Sequence, residues 1–204
     1  MIMLLGTIHG PDLLGAELED VGQPVPLLPA EEALVERAAP KRRREFALGR
    51  ACARAALEKL GHRDWVIGRG ANGAPLWPGD MIGSITHTRG YAAALLGAAQ
   101  HFSGIGVDAE HVGGVSQDLW PRLFDARERD HLMALDAAAQ PVAATLIFSA
   151  KEACYKAWGG VGPLVFHDIH VTPQDGGFTA DRAGAYLQGR YAMEGDLMVT
   201  AAWF

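Results

Sequence analysis

Residues 41–61, KRRREFALGRACARAALEKLG, carry the pattern that most restricts the fold. Apolar and small side chains recur there every three to four residues, which is typical of a helix with one buried face. These side chains are Phe46, Gly49, Ala53, Ala56, Leu57 and Leu60. Gly61 ends the pattern, as glycine often does after a helix. The chain must therefore bury one side of a long helix against another layer.

The rest of the chain mixes helical and strand-like segments. Residues 81–99 predict two strands around a turn at Thr88–Gly90, and residues 166–204 predict an antiparallel sheet of hairpins. Residues 141–158 predict a second long helix. We further expect a first strand in 1–15 and a loop in 22–40 that leads into a short helix. A short strand should lie in 63–80, and helical segments in 116–138. Because strands and helices do not alternate regularly, the predicted class is α+β.

Composition narrows the class of protein. The 204 residues suit one large domain or two small ones, and 49% hydrophobic with 21% charged residues is ordinary for a globular protein. A net charge of −6 disfavours general nucleic-acid binding. No apolar run reaches the length of a membrane span, and the apolar opening lacks the basic region and cleavage site of a signal peptide. We therefore expect no nucleic-acid partner, no membrane span and a cytoplasmic location.

The segment GIGVDAE, residues 104–110, combines an apolar pattern with two carboxylates. In a strand, Gly104, Gly106, Asp108 and Glu110 would share one face, and the residues between them would face a core. We expect the glycine side to be open and to leave room for a ligand. An isolated Asp-x-Glu is usually a solvated strand end, but two acids this close repel each other unless a cation lies between them.

The helix FSAKEACYKAW, residues 148–158, offers a third carboxylate. Glu152 and Lys156 are four residues apart and could simply form an ion pair on the helix surface. Small residues on the packing side would let the helix approach a sheet closely. If that sheet contains residues 104–110, Glu152 joins Asp108 and Glu110, and three carboxylates suit a hard divalent cation such as Mg²⁺, with Mn²⁺ also acceptable.

Basic residues crowd the start of the 41–61 helix. Arg43, Arg50 and Arg54 follow one stripe, with Lys41, Arg42 and Arg44 beside it. Such a run is often a solvated face, but cations at a helix N-terminus oppose the helix dipole, and a bound phosphate would relieve that conflict. Thr86 and His87 lie at a predicted turn, where His87 is either a turn residue or a phosphate donor.

Two further motifs give little support for a binding site. GRGANG, residues 68–73, matches a dinucleotide-binding pattern, but APLWP follows where a helix would have to begin. The histidines of HDIH, residues 167–170, would point to opposite faces of a strand, which disfavours a zinc site.

Together the motifs resemble a known family. GVDAE followed about 40 residues later by FSAKEACYKAW resembles the signature of 4′-phosphopantetheinyl transferases. KRRREFALGRACARAAL, APLWP and GSITHTRGYAAAL resemble upstream motifs of the same family, closest to the branch that primes siderophore and other nonribosomal peptide carriers. The resemblance covers residues 41–160. It implies two similar α+β halves related by a pseudo-twofold axis, here 1–103 and 104–204.

The resemblance also implies roles for residues. Asp108, Glu110 and Glu152 would be metal ligands, with Lys156 as a catalytic-site cation. The serine that attacks in this family's reaction also needs a proton acceptor, for which we expect Glu152 or a metal-bound water that Glu152 holds. A second set would hold the phosphates of coenzyme A: Thr86, His87, Arg43, Arg50 and Lys156. Relatives carry a lysine before the proline of a GKP motif, where this chain has Ala74. Arg69 or Arg54 would then supply the missing cation.

The implied reaction moves the phosphopantetheine arm of coenzyme A to a serine of a carrier protein, with Mg²⁺, and releases adenosine 3′,5′-bisphosphate. We expect the carrier to dock on residues 117–135, although Leu119, Leu123, Phe124 and Met133 could equally be core. The length favours the monomeric two-half branch over shorter trimeric enzymes. Two alternatives are another Mg²⁺-dependent phosphotransferase and a non-catalytic protein that binds coenzyme A.

Overall fold

A computed structural model describes residues 4–8, 10, 12–160 and 162–204. Its helices are α1 (Leu5–Ile8), α2 (Pro29–Ala33), α3 (Pro40–Lys59), α4 (Trp120–Leu123), α5 (Ala126–Ala134) and α6 (Gln140–Ala157). Its strands are β1 (Leu13–Glu19), β2 (Met81–Thr88), β3 (Tyr91–Ala98), β4 (Ile105–His111), β5 (His170–Gln174), β6 (Gly177–Arg182), β7 (Ala185–Glu194) and β8 (Leu197–Trp203). Single 3₁₀ turns cover Gln117–Leu119 and Phe166–Asp168.

The N-terminal part packs α3 on a small antiparallel sheet of order β1-β3-β2. The predicted apolar face of the helix is confirmed, because Ala53, Ala56 and Leu57 are fully buried. They contact alternate residues of β3, such as Ala92 and Leu96. The burial of this helical stripe explains why residues 40–59 form a helix in the folded chain.

The C-terminal part repeats the arrangement with α6 on a larger antiparallel sheet of order β4-β8-β7-β6-β5. Ala150, Ala153 and Ala157 form the buried stripe of α6, as the sequence predicts. The tail after residue 170 forms successive antiparallel strands, which confirms the predicted hairpin sheet.

The two parts share a topology. In each, the strand that precedes the long helix pairs with the last strand, β1 with β3 and β4 with β8. A third apolar cluster joins the parts, and it contains Leu95 of β3, Val107 of β4 and Val199 of β8. The strand β4 is therefore buried on both faces, and the α+β class is confirmed.

The closest approach between α6 and β4 lies at two glycines. A Cβ on Gly106 would lie 1.8 Å from the carbonyl oxygen of Ala153, and a Cβ on Gly104 would lie 2.1 Å from that of Ala157. The glycine side of β4 is thus filled by the helix backbone. The expectation that this side is open to a ligand is wrong, because the small residues serve helix packing instead.

Two strand predictions also differ from the structure. Within residues 1–15, Leu5–Ile8 is helical and the strand begins only at Leu13, while residues 1–3, 9 and 11 lie outside the described part. Residues 63–80 contain a single bridge between Arg69 and Pro75 instead of a strand. In the described ranges, no helix combines the length and the apolar character that crossing a membrane requires.

Candidate active site

Asp108 lies at the centre of a buried polar cluster between the two parts. Its side chain accepts hydrogen bonds from Thr86 of β2 at 3.3 Å, from Ser149 of α6 at 2.9 Å and from Lys156 Nζ at 2.7 Å. Lys156 also donates to the Val107 carbonyl oxygen at 3.0 Å. The lysine therefore pairs with Asp108 on the neighbouring strand, and not with Glu152 on its own helix.

Glu110 and Glu152 belong to the same electrostatic environment. Burial, together with the nearby Asp108 and Glu152 and against the opposing effect of Lys156, raises the pKa of Glu110 to about 7. Burial also raises the pKa of Glu152, which Lys156 lowers in part. Three carboxylates thus act on one another and on a single ammonium group where α6 packs on β4.

The residues fit a hard divalent cation. Carboxylate oxygens are its preferred ligands, and the excess of negative charge over Lys156 would be neutralised by it. Asp108, Glu110 and Glu152 would hold the ion. Their oxygens do not all lie within 4.8 Å of one another in this arrangement, whereas direct ligands of one Mg²⁺ lie at most about 4.2 Å apart. At least one of the three side chains would therefore have to move inward or contact the ion through a water molecule.

A second group of possible metal ligands lies between residues 125 and 170. Atoms of Asp125, Glu128 and His170 all lie within 4.8 Å of one another. The Glu128 carboxylate, however, already accepts from Lys151 Nζ at 2.5 Å and from the Val171 backbone N–H at 2.8 Å. Asp125 caps α5 by accepting from the Glu128 backbone N–H. This group is therefore a satisfied structural network.

A basic pocket of about 130 Å³ adjoins the acidic cluster. Its lining includes the guanidinium groups of Arg42, Arg50 and Arg69 and the imidazole of His87. The carboxylate of Glu45 also lines it and contacts Arg42 at 3.6 Å. Burial, opposed by Glu31 and reinforced by Arg69, Arg54 and Arg42, lowers the pKa of Arg50 to about 10. Guanidinium groups held this close repel one another, and such a pocket suits an anion with several negative oxygens.

His87 connects the pocket with the carboxylates. Arg42 donates to its Nε2 at 2.6 Å, so that ring nitrogen is the acceptor and the ring is neutral in this arrangement. Burial lowers the pKa of His87, and Arg42 lowers it further. Lys156 and Asp108 are close enough to act on the same ring. Thr86, the preceding residue, faces Asp108 as a hydrogen-bond donor.

Two predicted phosphate ligands lie elsewhere. Arg54 pairs with the buried Glu31 and donates to the Pro26 carbonyl oxygen at 2.9 Å. Arg43 pairs with Glu32 at 3.4 Å and lines a different groove. The crowded cations at the start of α3 have carboxylate partners within the chain: Lys41 and Arg42 contact Glu45, and Arg44 contacts Asp20. The conflict with the helix dipole is relieved by these acids, and no bound anion is needed there.

Arg42 and Ser149 are the site residues that the sequence analysis missed. Arg42 precedes Arg50 by eight residues, a spacing that also keeps two side chains near one helix face. Ser149 precedes Glu152 by three residues in the FSAKE segment, and its hydroxyl bridges Asp108 and Thr200 of β8 at 2.8 Å. Both residues could have been found from their helical spacing to Arg50 and Glu152, which the sequence analysis had already singled out.

The segment 117–135 is divided between core and surface. Phe124 is fully buried, which settles the open alternative for this residue in favour of the core, and Leu132 is buried beside it. Leu119 and Leu123 are half-buried. Met133 is 66% exposed, so it can offer an apolar contact to another molecule.

Comparisons with known proteins agree with this geometry. A family model described as 4′-phosphopantetheinyl transferase N-terminal domain matches residues 30–97, and one described as 4′-phosphopantetheinyl transferase superfamily matches residues 104–199. The 4′-phosphopantetheinyl transferase Npt of Nocardia iowensis is 37% identical over 83% of this chain and 76% of its own. PptT of Mycobacterium tuberculosis is 34% identical over 93% of this chain and 91% of its own. Enterobactin synthase component D of Salmonella typhimurium is 38% identical over 80% and 68%, respectively.

Proposed function

Because the chain belongs to the 4′-phosphopantetheinyl transferase superfamily and is such a transferase, we propose that it moves phosphopantetheine from coenzyme A to a carrier-protein serine with Mg²⁺ and releases adenosine 3′,5′-bisphosphate. The observation that supports this most directly is the contact between the acidic cluster and the basic pocket. Asp108 and His87, on neighbouring strands, belong to one continuous site. The pyrophosphate ester of coenzyme A would be stabilised by the metal ion that the carboxylates hold and by the cationic side chains of the pocket.

The acidic cluster suits the reacting end of coenzyme A. Asp108, Glu110 and Glu152 would hold Mg²⁺, or Mn²⁺ in its place, which supplies positive charge to the pyrophosphate oxygens. Lys156, held by Asp108 at 2.7 Å, places a second cation where the leaving phosphate gathers charge. Glu152, or a metal-bound water that it holds, is the proposed acceptor of the serine proton, because it is the carboxylate that α6 contributes to the cluster one turn before Lys156.

The basic pocket suits the 3′-phosphate of coenzyme A. Arg42, Arg50 and Arg69 can offer charge-assisted hydrogen bonds to one phosphate group, with His87 at the boundary to the pyrophosphate. Relatives carry a lysine at the position of Ala74, and we propose that Arg69 replaces its charge here, since Arg69 lines the pocket and Arg54 does not.

The proposed carriers belong to nonribosomal peptide, siderophore or polyketide assembly. One relative is named for enterobactin synthesis, and its similarity covers 80% of this chain. We further propose that the protein acts as a cytoplasmic monomer, since one chain supplies both the acidic cluster and the basic pocket.

Mass spectrometry tests the proposal directly. The purified chain is incubated with an apo peptidyl carrier domain, coenzyme A and Mg²⁺, and the intact carrier is weighed. We expect a phosphopantetheine mass on the carrier, adenosine 3′,5′-bisphosphate in solution, and neither product in EDTA. A different phosphotransferase would leave the carrier mass unchanged, and a non-catalytic binder would bind coenzyme A without forming either product.

Arg42→Ala should raise the KM for coenzyme A about tenfold or more, the loss typical of a charge-assisted hydrogen bond. The increase for 3′-dephospho-coenzyme A should be much smaller, because that analogue lacks the phosphate that Arg42 would contact. Arg43→Ala is the matched control, since Arg43 pairs with Glu32 away from the pocket. Equal increases for both substrates would contradict the 3′-phosphate assignment.

We propose that the carrier docks on the exposed side of 117–135, with Met133 as one apolar contact. Met133→Asp should raise the KM for the carrier about fivefold, while the KM for coenzyme A stays constant. Met193→Asp is the control, because Met193 is 44% exposed on the distant β7. If both variants behave alike toward the carrier, the docking surface lies elsewhere.

A further inference from the structure

The loop 68–75, GRGANGAP, carries Arg69 to the basic pocket. It turns back on itself through short backbone hydrogen bonds. Gly70 N–H donates to the Ala74 oxygen at 2.8 Å, and Gly73 N–H donates to the Gly70 oxygen at 2.9 Å. Gly73 has a φ of +85°, which favours glycine at this turn. The loop is therefore compact, and its orientation depends on what holds its base and its tip.

The base of the loop is held by the N-terminal part. Arg50 of α3 donates from Nε to the Ile67 carbonyl oxygen at 3.0 Å and from Nη2 to the Gly68 carbonyl oxygen at 3.3 Å. The buried arginine thus fixes the residues that immediately precede Arg69 while its own side chain lines the same pocket.

The tip of the loop is held by the other part of the molecule. Asn72 Nδ2 donates to the carbonyl oxygen of Gly159, two residues beyond the end of α6, at 3.1 Å. Asn72 Oδ1 accepts from the Ala74 N–H at 3.1 Å. A carbonyl only accepts and a backbone N–H only donates, so both contacts require the same orientation of the amide.

We propose that Asn72 is a positioning residue for the nucleotide end of coenzyme A. By fastening the loop tip to the end of α6, it keeps Arg69 at the basic pocket and ties that pocket to the helix that carries Glu152 and Lys156. This inference rests on the proposed function, since it assigns the pocket to the 3′-phosphate. A purely local role for Asn72 would need only the bond to Ala74.

Asn72→Ser separates the two bonds. A serine hydroxyl can still accept from the Ala74 N–H, but it is too short to reach Gly159. Calorimetric titration of coenzyme A onto the full chain, without carrier, should show about three- to tenfold weaker binding, the range for one hydrogen bond. The thermal midpoint should stay constant, because the bond is solvent-exposed. Binding of 3′-dephospho-coenzyme A should change little.

The double variant gives a readout that a merely structural role would not produce. If Asn72 acts through Arg69, then Asn72→Ser should weaken binding in the native chain and have almost no further effect beside Arg69→Ala. Additive losses, or an unchanged affinity of Asn72→Ser, would overturn the inference while leaving the proposed function intact. A native chain that fails to bind coenzyme A would overturn both, and one that binds but does not transfer would overturn only the transfer.

Discussion

Asp108→Asn is expected to lower kcat/KM for carrier modification at least about a hundredfold, because the central carboxylate that orients Lys156 and would hold the metal loses its charge. The measurement is the rate of carrier mass gain at saturating Mg²⁺. Asparagine is preferable to alanine here. Asp108 is only 5% exposed and serves Thr86, Ser149 and Lys156, so alanine would leave buried donors without an acceptor and disturb the fold as well.

The same substitution at Asp181 provides the control. Asp181 lies on β6, where it accepts from the Gly184 N–H of the following turn, and it has no contact with the acidic cluster. Asp181→Asn should transfer at the native rate. Turnover near the native rate in Asp108→Asn, with the native circular dichroism spectrum, would remove Asp108 from the reaction.

Lys151→Met is expected to lower the free energy of unfolding by about 3–5 kcal/mol, the usual loss when one partner of a buried ion pair is removed. Lys151 is fully buried, and its ammonium group donates to Glu128 and to the carbonyl oxygens of Leu123 and Phe166. Without it, the buried Glu128 loses the ammonium group that balances its charge at 2.5 Å. Urea unfolding at neutral pH measures the difference.

Removing both charges should recover much of that loss. Lys151→Met combined with Glu128→Gln leaves no unpaired charge, and the glutamine oxygen can still accept from the Val171 N–H. Lys59→Met is the matched control, since Lys59 is exposed and donates to the Gly15 carbonyl oxygen. This substitution should change the free energy of unfolding by about 0.5 kcal/mol or less. A Lys151→Met variant as stable as the Lys59 variant would contradict the ion-pair argument.

The long elements could be predicted from sequence because periodicity reports burial directly. Both long helices and the β2–β3 hairpin follow from their spacing. The N-terminal strand and residues 63–80 could not, because short apolar runs there fit several conformations and their neighbours decide among them. Similarly, the glycines of β4 indicated an absent side chain, but not whether a ligand or a helix occupies the space.

Within the site, the types of residue were easier to predict than the direction in which each side chain points. The segments 104–110 and 148–158 point to Asp108 and Lys156 as site residues, and the structure brings these two side chains into contact. Among four consecutive basic residues at the start of α3, however, only packing determines which one reaches the pocket. Arg42 does so, whereas Arg43 turns toward Glu32. A run of like charges carries no internal signal for that choice.

The glycines at 104 and 106 have a consequence beyond packing. A methyl group at residue 106 would lie 1.8 Å from a helix oxygen, far inside the 3.4 Å at which ordinary contact begins, so α6 would have to retreat from β4. Every oxygen that the helix contributes to the cluster would move with it, as would the ammonium of Lys156. The separation between the carboxylates of β4 and Glu152 of α6 is therefore set by two missing side chains that are not themselves part of the acidic cluster, and a larger residue at 104 or 106 would change it.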